Sequence, residues 1–280
     1  MNTAPLVAWM EERHRIYLRR RSGLPRPWTE DRIMQEFKFC NVFRELDRVT
    51  LWIRDNWREP HASNPNIWMA MCIARQINLP DTLEEINFPE HDFEWEQVLQ
   101  VLHDRHKAGK QRYTGAYMIT AAHMEIRKGL CTKDRFMAEY VLGDLWADRD
   151  ALVDVPRTLQ GFHAWLCQHK GWGSFIAAQV VADLKYTPFL EKAPDWWTWA
   201  ASGPGSKRGL NRLLGLPVKT HRSEADWLEK VQELNGLIPD CLGERLHMQD
   251  MQSTLCEFDK YERVRLGEGT PRSRFDGGQQ

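Results

Sequence analysis

The chain has 280 residues, 28% charged and 42% hydrophobic, with a formal net charge of -1. That length suits one large domain or two interlocked lobes around a real core. The near-neutral balance excludes a protein that coats nucleic acid by bulk charge, and no stretch of about 18 apolar residues is present to span a membrane.

In chain order the text reads helical almost throughout. "LVAWMEERHRIYLRRR" carries a 3.6-residue pattern and stops at Ser22-Gly23. "LPRPW" is extended because its prolines disfavour helix. Thr29 then predicts the N-cap of a long helix over residues 30–57, with Phe39, Val42, Leu46, Val49 and Ile53 as its buried stripe. Further helices are predicted from "ASNPNIWMAMCIARQIN", "DFEWEQVLQVLHDRHKAG", "YTGAYMITAAHMEIR", "TKDRFMAEYVLGDLWAD", "VPRTLQGFHAWLCQH" and "GSFIAAQVVADLKY". A Gly-Pro-Gly element with a short helix follows, and "SEADWLEKVQELN" and "ERLHMQDMQSTLCEFDKYERVR" close the series. The expected fold is all-α, with one catalytic domain or two interlocked lobes over residues 1–264, a helical hairpin at 159–185 and a disordered tail at 265–280.

Absent motifs narrow the chemistry. No G-x-x-x-x-G-K-[ST] occurs, so phosphoryl transfer from ATP is not expected. H-E-x-x-H, H-x-E with P-C-x-x-C, and four-cysteine clusters are missing too, so neither a metal nor a cofactor is expected. The six cysteines (Cys40, Cys72, Cys131, Cys167, Cys241 and Cys256) are widely spaced and read as reduced thiols of a cytosolic protein. The N-terminus lacks the apolar segment of a secretion signal. Two local basic patches stand out: Arg13, Arg15, Arg19, Arg20, Arg21 and Arg26, and Lys207, Arg208 and Arg212. Each is either a solvated face or a DNA contact.

Between "VPRTLQGFHAWLCQH" and "GSFIAAQVVADLKY" lies the turn Gly171-Trp172-Gly173, followed by Ser174. Two glycines between helices leave N–H donors at a helix start, an anion site sized for one DNA phosphate. Asp195 follows 22 residues after Gly173 among Trp196, Trp197 and Trp199. This spacing resembles the helix-hairpin-helix DNA glycosylases, in which an aspartate at that separation faces the base-flipping pocket. Asp195 is therefore either a catalytic carboxylate with a raised pKa or the N-cap of a short helix.

A longer resemblance covers about residues 8–266. "ERHRIYLRRRSGLPRPWTEDRIMQEFKFCNVFRELDRVTLWIRDNWR", "GWGSFIAAQVVADL", "SGPGSKRGLNRLLG" and "LCEFDKYERVR" resemble the alpha-glutamyl/putrescinyl thymine pyrophosphorylase family. These are phage amino-acid:DNA transferases related to the helical domain of 5-hydroxymethyluracil DNA kinases. The resemblance implies a divergent helix-hairpin-helix glycosylase-like fold and a role in thymine hypermodification. An upstream kinase yields 5-pyrophosphoryloxymethyluracil in duplex DNA. The transferase then replaces pyrophosphate with a free amino acid or polyamine, in the cytoplasm of the infected host bacterium.

Against that chemistry, Asn41, Arg44 and Arg48, with Asp47, are expected on one helical face, gripping pyrophosphate or the pyrimidine edge, or else solvated. Gln179 and Asp183 interrupt an apolar run and belong either to a substrate site or to a buried polar network. Gly203, Gly205, Ser206, Lys207 and Arg208 form either an anion cradle or a plain loop. Glu257 and Lys260 are either an active-site acid and cation or a surface pair. The competing functions are a DNA glycosylase and a non-catalytic DNA-binding helical module.

Overall fold

The computed structural model describes residues 1–114, 128–129, 131–238, 242–271 and 273–275. The described residues are all-α; an isolated antiparallel bridge between Phe37 and Arg274 is the one β feature among them. Two compact units divide the chain. The first joins its two ends, residues 1–48 and 197–280, and the second is the middle, residues 49–196.

In the first unit, α1 (Ala4–Arg21) has a proline in its first turn, and Arg19, Arg20 and Arg21 complement the dipole at its end. Gly23, at φ +71, turns the chain out of it. α1 buries Leu6, Trp9, Met10 and Arg13. α2 (Arg32–Glu36) follows, capped by Asp31, whose Oδ1 accepts from the N–H groups of Ile33 and Met34 at 2.8 and 3.0 Å.

Here the structure corrects the expected long helix over residues 30–57. Thr29 is not its cap; the Thr29 hydroxyl accepts from the Asp31 N–H at 3.1 Å. After α2 the chain is extended. Phe37 and Phe39 are buried while Lys38 and Cys40 are exposed, a period of two rather than 3.6. A 3-10 turn at Arg44–Leu46 precedes α3 (Arg48–Ile53), which runs on as a π-helical turn at Arg54–Arg58. The expected tail is also partly ordered. The Phe275 N–H donates to the Glu36 carbonyl at 2.8 Å and the Lys38 N–H to Ser273 at 3.3 Å. An exposed main-chain edge at residues 36–38 recruits those partners.

The rest of the first unit is α10 (Pro204–Leu213), α11 (Glu224–Leu237) and α12 (Met248–Arg265). α10 lies against α12 because it presents glycine there. A Cβ at Gly205 would collide with the Cys256 sulfur, and one at Gly209 with the Leu255 carbonyl oxygen. Trp227, Val231, Leu234, Met251, Leu255 and Phe258 join the α1 face in one apolar core.

In the second unit every residue of α4 (Ile67–Ile77) is buried, and it ends at Asn78 in a left-handed conformation. Around it lie α5 (Pro80–Ile86), α6 (Trp95–Lys107), α7 (133–147, with a π-helical centre at Phe136–Gly143), α8 (Leu159–Leu166) and α9 (Ser174–Leu184). Most of the helix expected over 113–127 falls outside the described residues. α9 packs on α4 through a fully buried ion pair: Arg75 Nε and Nη2 donate to Asp183 at 2.5 and 2.7 Å. Arg75 also reaches the Thr50 hydroxyl and Asn78. Removing one member leaves a buried charge without its partner. The buried Arg58 guanidinium also lies 3.8 Å from Asp183, so Asp183→Asn is expected to cost about 3–5 kcal/mol in urea unfolding. A loss below about 1 kcal/mol for Asp183→Asn contradicts this role.

Candidate active site

The extended segment after α2 needs partners for its main-chain groups, and side chains of the first unit supply them. The Arg13 guanidinium, 7% exposed, donates from Nε to the carbonyls of Phe39 and Cys40 at 3.3 and 3.0 Å, and from Nη2 to Phe39 at 3.0 Å. Glu257 of α12 accepts from the Cys40 N–H at 3.1 Å. Lys260, one turn on, pairs with Glu257 and lies 4.7 Å from the Phe39 ring centre. The Tyr261 hydroxyl donates to Asp31 at 2.6 Å, tying α12 to the start of α2.

This fixes a small loop. Asn41 donates its backbone N–H to Asp47 Oδ1 at 2.9 Å, and its side-chain amide to Asp47 Oδ1 and to the Leu46 carbonyl at 3.1 and 2.8 Å. The Arg44 N–H donates to Asp250 at 2.9 Å, and its guanidinium reaches Glu45 at 3.3 Å. Asp47 is half-buried. Burial raises its carboxyl to about 6; the Asn41 N–H and Arg13 oppose the rise, and Glu257 adds to it.

Beside this loop lies a cavity of about 220 Å³. Its lining is largely aromatic and apolar, with Tyr17, Trp28, Phe37, Phe39 and Phe275, and includes Asn41 and Arg13. Arg20 and Arg26 line it as well. A cavity of this kind admits a flat ring with a polar substituent.

Three segments distant in sequence thus converge: the arginine-rich α1, "FCNVFRELDR" and "LCEFDKYER". Of the expected site residues, Asn41, Asp47, Glu257 and Lys260 come together here. Arg48 is exposed and within electrostatic reach of Arg20. Arg44, Asn41 and Arg48 do not share a helical face, because no helix spans them. Arg13, expected on a solvated or DNA-facing patch, is buried instead. It continues the stripe of Trp9 and Met10 one turn on, the signal that marks a buried arginine.

The other expected positions have structural partners. Both oxygens of Asp195 accept main-chain N–H bonds, from Leu159 at 2.8 Å and Gln160 at 3.0 Å. Asp195 therefore caps the start of α8, with Thr158, and starts no helix of its own. Asp183 is held by Arg75, and Gln179 is half-buried on the same helix. The cradle expected at Gly203–Arg208 is a helix-packing element. Ser206 closes back on Gly203, Lys207 pairs with Glu224 at 2.8 Å, and Arg208 with Asp259 at 2.7 Å. In the hairpin, Gly171 is at φ +82, where a Cβ would collide with Val141. Nothing lies within 4 Å of the Cβ position of Gly173, and Ser174 opens α9 beside His163.

The Asp47 carboxyl gives a direct check. Carbon-13 NMR of labelled aspartate, assigned with Asp47→Asn, is expected to show one midpoint at about 6. A midpoint near the ordinary value of about 3.9 contradicts the enclosed geometry. Because the folded value lies above the unfolded one, the carboxyl's stabilising contribution is complete below about pH 4 and is lost as pH rises through about 6.

Comparison with known proteins gives the relationship. Residues 2–270 match the family described as 5-hmdU DNA kinase, helical domain. A 5-hmdU DNA kinase of Bacillus phage SP10 is 26% identical over 222 residues, which cover 72% of this chain and 34% of that protein. The chain thus spans about a third of the length of this relative. No solved structure matches. Among the described residues, no helix is long and apolar enough to cross a membrane. With the described residues all-helical and the chain matched over almost its whole length, the protein belongs to the 5-hmdU DNA kinase helical-domain family.

Proposed function

We propose that the chain is a transferase of phage DNA modification that places an amine on a modified thymine. Its substrate would be 5-pyrophosphoryloxymethyluracil in duplex DNA, made by a kinase acting on 5-hydroxymethyluracil in the cytoplasm of an infected host bacterium. The phage relative's description as a 5-hmdU DNA kinase supports this substrate class. The observation that carries the reading is the aromatic cavity with Asn41 in its lining, Asn41 being hydrogen-bonded to an Asp47 carboxyl raised to about 6.

The base leaves the stack, at a cost of a few kcal/mol, and its ring enters the cavity among Tyr17, Trp28, Phe37 and Phe39. The amine nitrogen attacks the exocyclic methylene carbon of the base. The C–N bond forms as the C–O bond breaks, and the electron pair departs with pyrophosphate. The proton lost by nitrogen passes to the Asp47 carboxylate, directly or through one water. A carboxyl near 6 is largely ionised at neutral pH, and is a stronger base than an exposed aspartate. Glu257 and Lys260 hold the Cys40 end of the loop in place.

The hairpin would grip the DNA backbone in the manner of a glycosylase-like helix-hairpin-helix. The open space at Gly173 and the N-terminal N–H groups of α9 support a phosphate there.

The test is duplex DNA carrying 5-pyrophosphoryloxymethyluracil, incubated with the protein and glycine, glutamate, alanine, serine or putrescine. Nucleosides are then weighed by mass spectrometry. One amine adduct, dependent on protein, is expected. At a fixed concentration of the free, neutral amine, its rate should rise with pH to a plateau, half-maximal at about 6, and Asp47→Asn should lower it by about 100-fold or more and remove that limb. Unchanged nucleosides with every amine reject the transferase reading, and free modified base moves the case to glycosylase chemistry.

A further inference from the structure

On the surface of the second unit several cations rest on acids. Arg54 meets Asp55 at 2.7 Å, Lys110 meets Glu85 at 3.4 Å, and Arg135 meets Glu139 at 2.5 Å. A cavity of about 430 Å³ in the same unit is different. Ser63, Asn64, Ile67, Arg157, Phe189 and Lys192 are in its lining, and none of the described residues that line it is acidic. Arg157 and Lys192 are exposed, and among the described residues neither makes an ion pair.

The fold brings these two cations together. Arg157 stands two residues before α8, and Lys192 belongs to the turn that follows α9. Asp195, three residues beyond Lys192, accepts the N–H bonds of Leu159 and Gln160 and so fastens that turn to the α8 start. The Thr187 carbonyl tightens the turn, accepting from the N–H groups of Leu190 and Glu191 at 3.1 and 2.8 Å. Phe189 sits edge-on to Phe162 of α8, ring centres 5.1 Å apart, and the Arg157 guanidinium lies 4.2 Å from the Phe189 ring centre. A ring orients a guanidinium without neutralising it, because its quadrupole carries no net charge. Nearby acids are engaged elsewhere: Asp195 at α8, and Glu90 with the Asn64 amide at 3.0 Å and His61 at 3.1 Å.

We propose that Arg157 and Lys192 bind a backbone phosphate of duplex DNA. The guanidinium fork meets two phosphate oxygens, the ammonium adds a point charge, and the Ser63 hydroxyl is a further donor of the kind that positions a duplex. Exposed cations suit a polyanion that passes over the surface, whereas a small free ligand is held best where it is enclosed. With a net charge of -1, the chain has to hold DNA by local cation clusters of this sort. α8 has 8 residues, about 12 Å, and the Gly171–Gly173 turn lies beyond its far end. That span corresponds to about three to four phosphates of one strand, so both points fit a single backbone. The inference rests on the reading above that DNA is the substrate, and it adds residues of the second unit to that reading.

The test is fluorescence anisotropy of labelled duplex DNA, in two unrelated sequences, with the full chain over a series of salt concentrations. Arg157→Gln and Lys192→Gln are compared with Lys107→Gln, which removes an exposed cation of the same unit outside the cavity lining. All are checked for an unchanged thermal transition. Each cavity variant should weaken binding by about 5-fold or more on both duplexes, and lower the slope of log affinity against log salt by about 1. Lys107→Gln should do neither, and Arg157→Lys should keep the slope. No duplex binding by the wild type, or equal losses in all three glutamine variants, overturns the proposal. Orthophosphate bound as tightly as duplex in a calorimeter, through the same two residues, overturns it in favour of a free anion. DNA binding that needs both residues, with no amine transfer to the modified duplex, keeps the contact and removes the transferase. Amine transfer whose dependence on DNA concentration is unchanged in both variants keeps the transferase and removes the contact.

Discussion

An extended segment inside a helical unit has to place every main-chain N–H and C=O group, since a buried group left unpaired costs about 1–3 kcal/mol. In the first unit the answer is the buried Arg13, which takes the carbonyls of Phe39 and Cys40, and Glu257, which takes the Cys40 N–H. Everything at the cavity depends on this. With the segment held open, Phe37 and Phe39 face inward, and the chain turns back at Asn41 to enclose Asp47. A helix through residues 37–43 would satisfy the same main-chain groups internally and leave no pocket.

Charge follows the same division of labour. The net charge is only -1, yet its carriers are not evenly used. Asp183, Asp259 and Asp195 are committed to arginines or to a helix start, where they hold α4, α9, α10, α12 and α8 in place. At the cavity the Arg26 guanidinium also lies 4.6 Å from the ring centres of both Trp28 and Phe275.

Much of the fold was legible. α1, α4, α6, α8, α9, α11 and α12 follow from their 3.6-residue patterns and stop signals, as at Gly23 and Asn78. The stretch at residues 30–57 was misread because Phe39, Val42, Leu46, Val49 and Ile53 fit helical spacing. The alternation of Phe37, Lys38, Phe39 and Cys40 was the competing signal, over too short a run to weigh against it. At the candidate site, Asn41, Asp47, Glu257 and Lys260 lie in segments that stand out in the sequence, but their assembly needs Arg13, which reads as surface. Asp195 and Gly203–Arg208 carry the right residue types for chemistry. Only tertiary structure shows that a helix start and a helix crossing already use them.

The central claim is that the modified pyrimidine is received by the first unit, in the cavity lined by α1, α2, the extended segment after α2 and Phe275. The most direct measurement is ultraviolet crosslinking of duplex DNA with a single 5-iodouracil at the target position, with the attached peptide sequenced by mass spectrometry. The account predicts attachment at Tyr17, Trp28, Phe37 or Phe39, lost on competition with DNA carrying 5-hydroxymethyluracil. Attachment confined to residues 49–196 would contradict it.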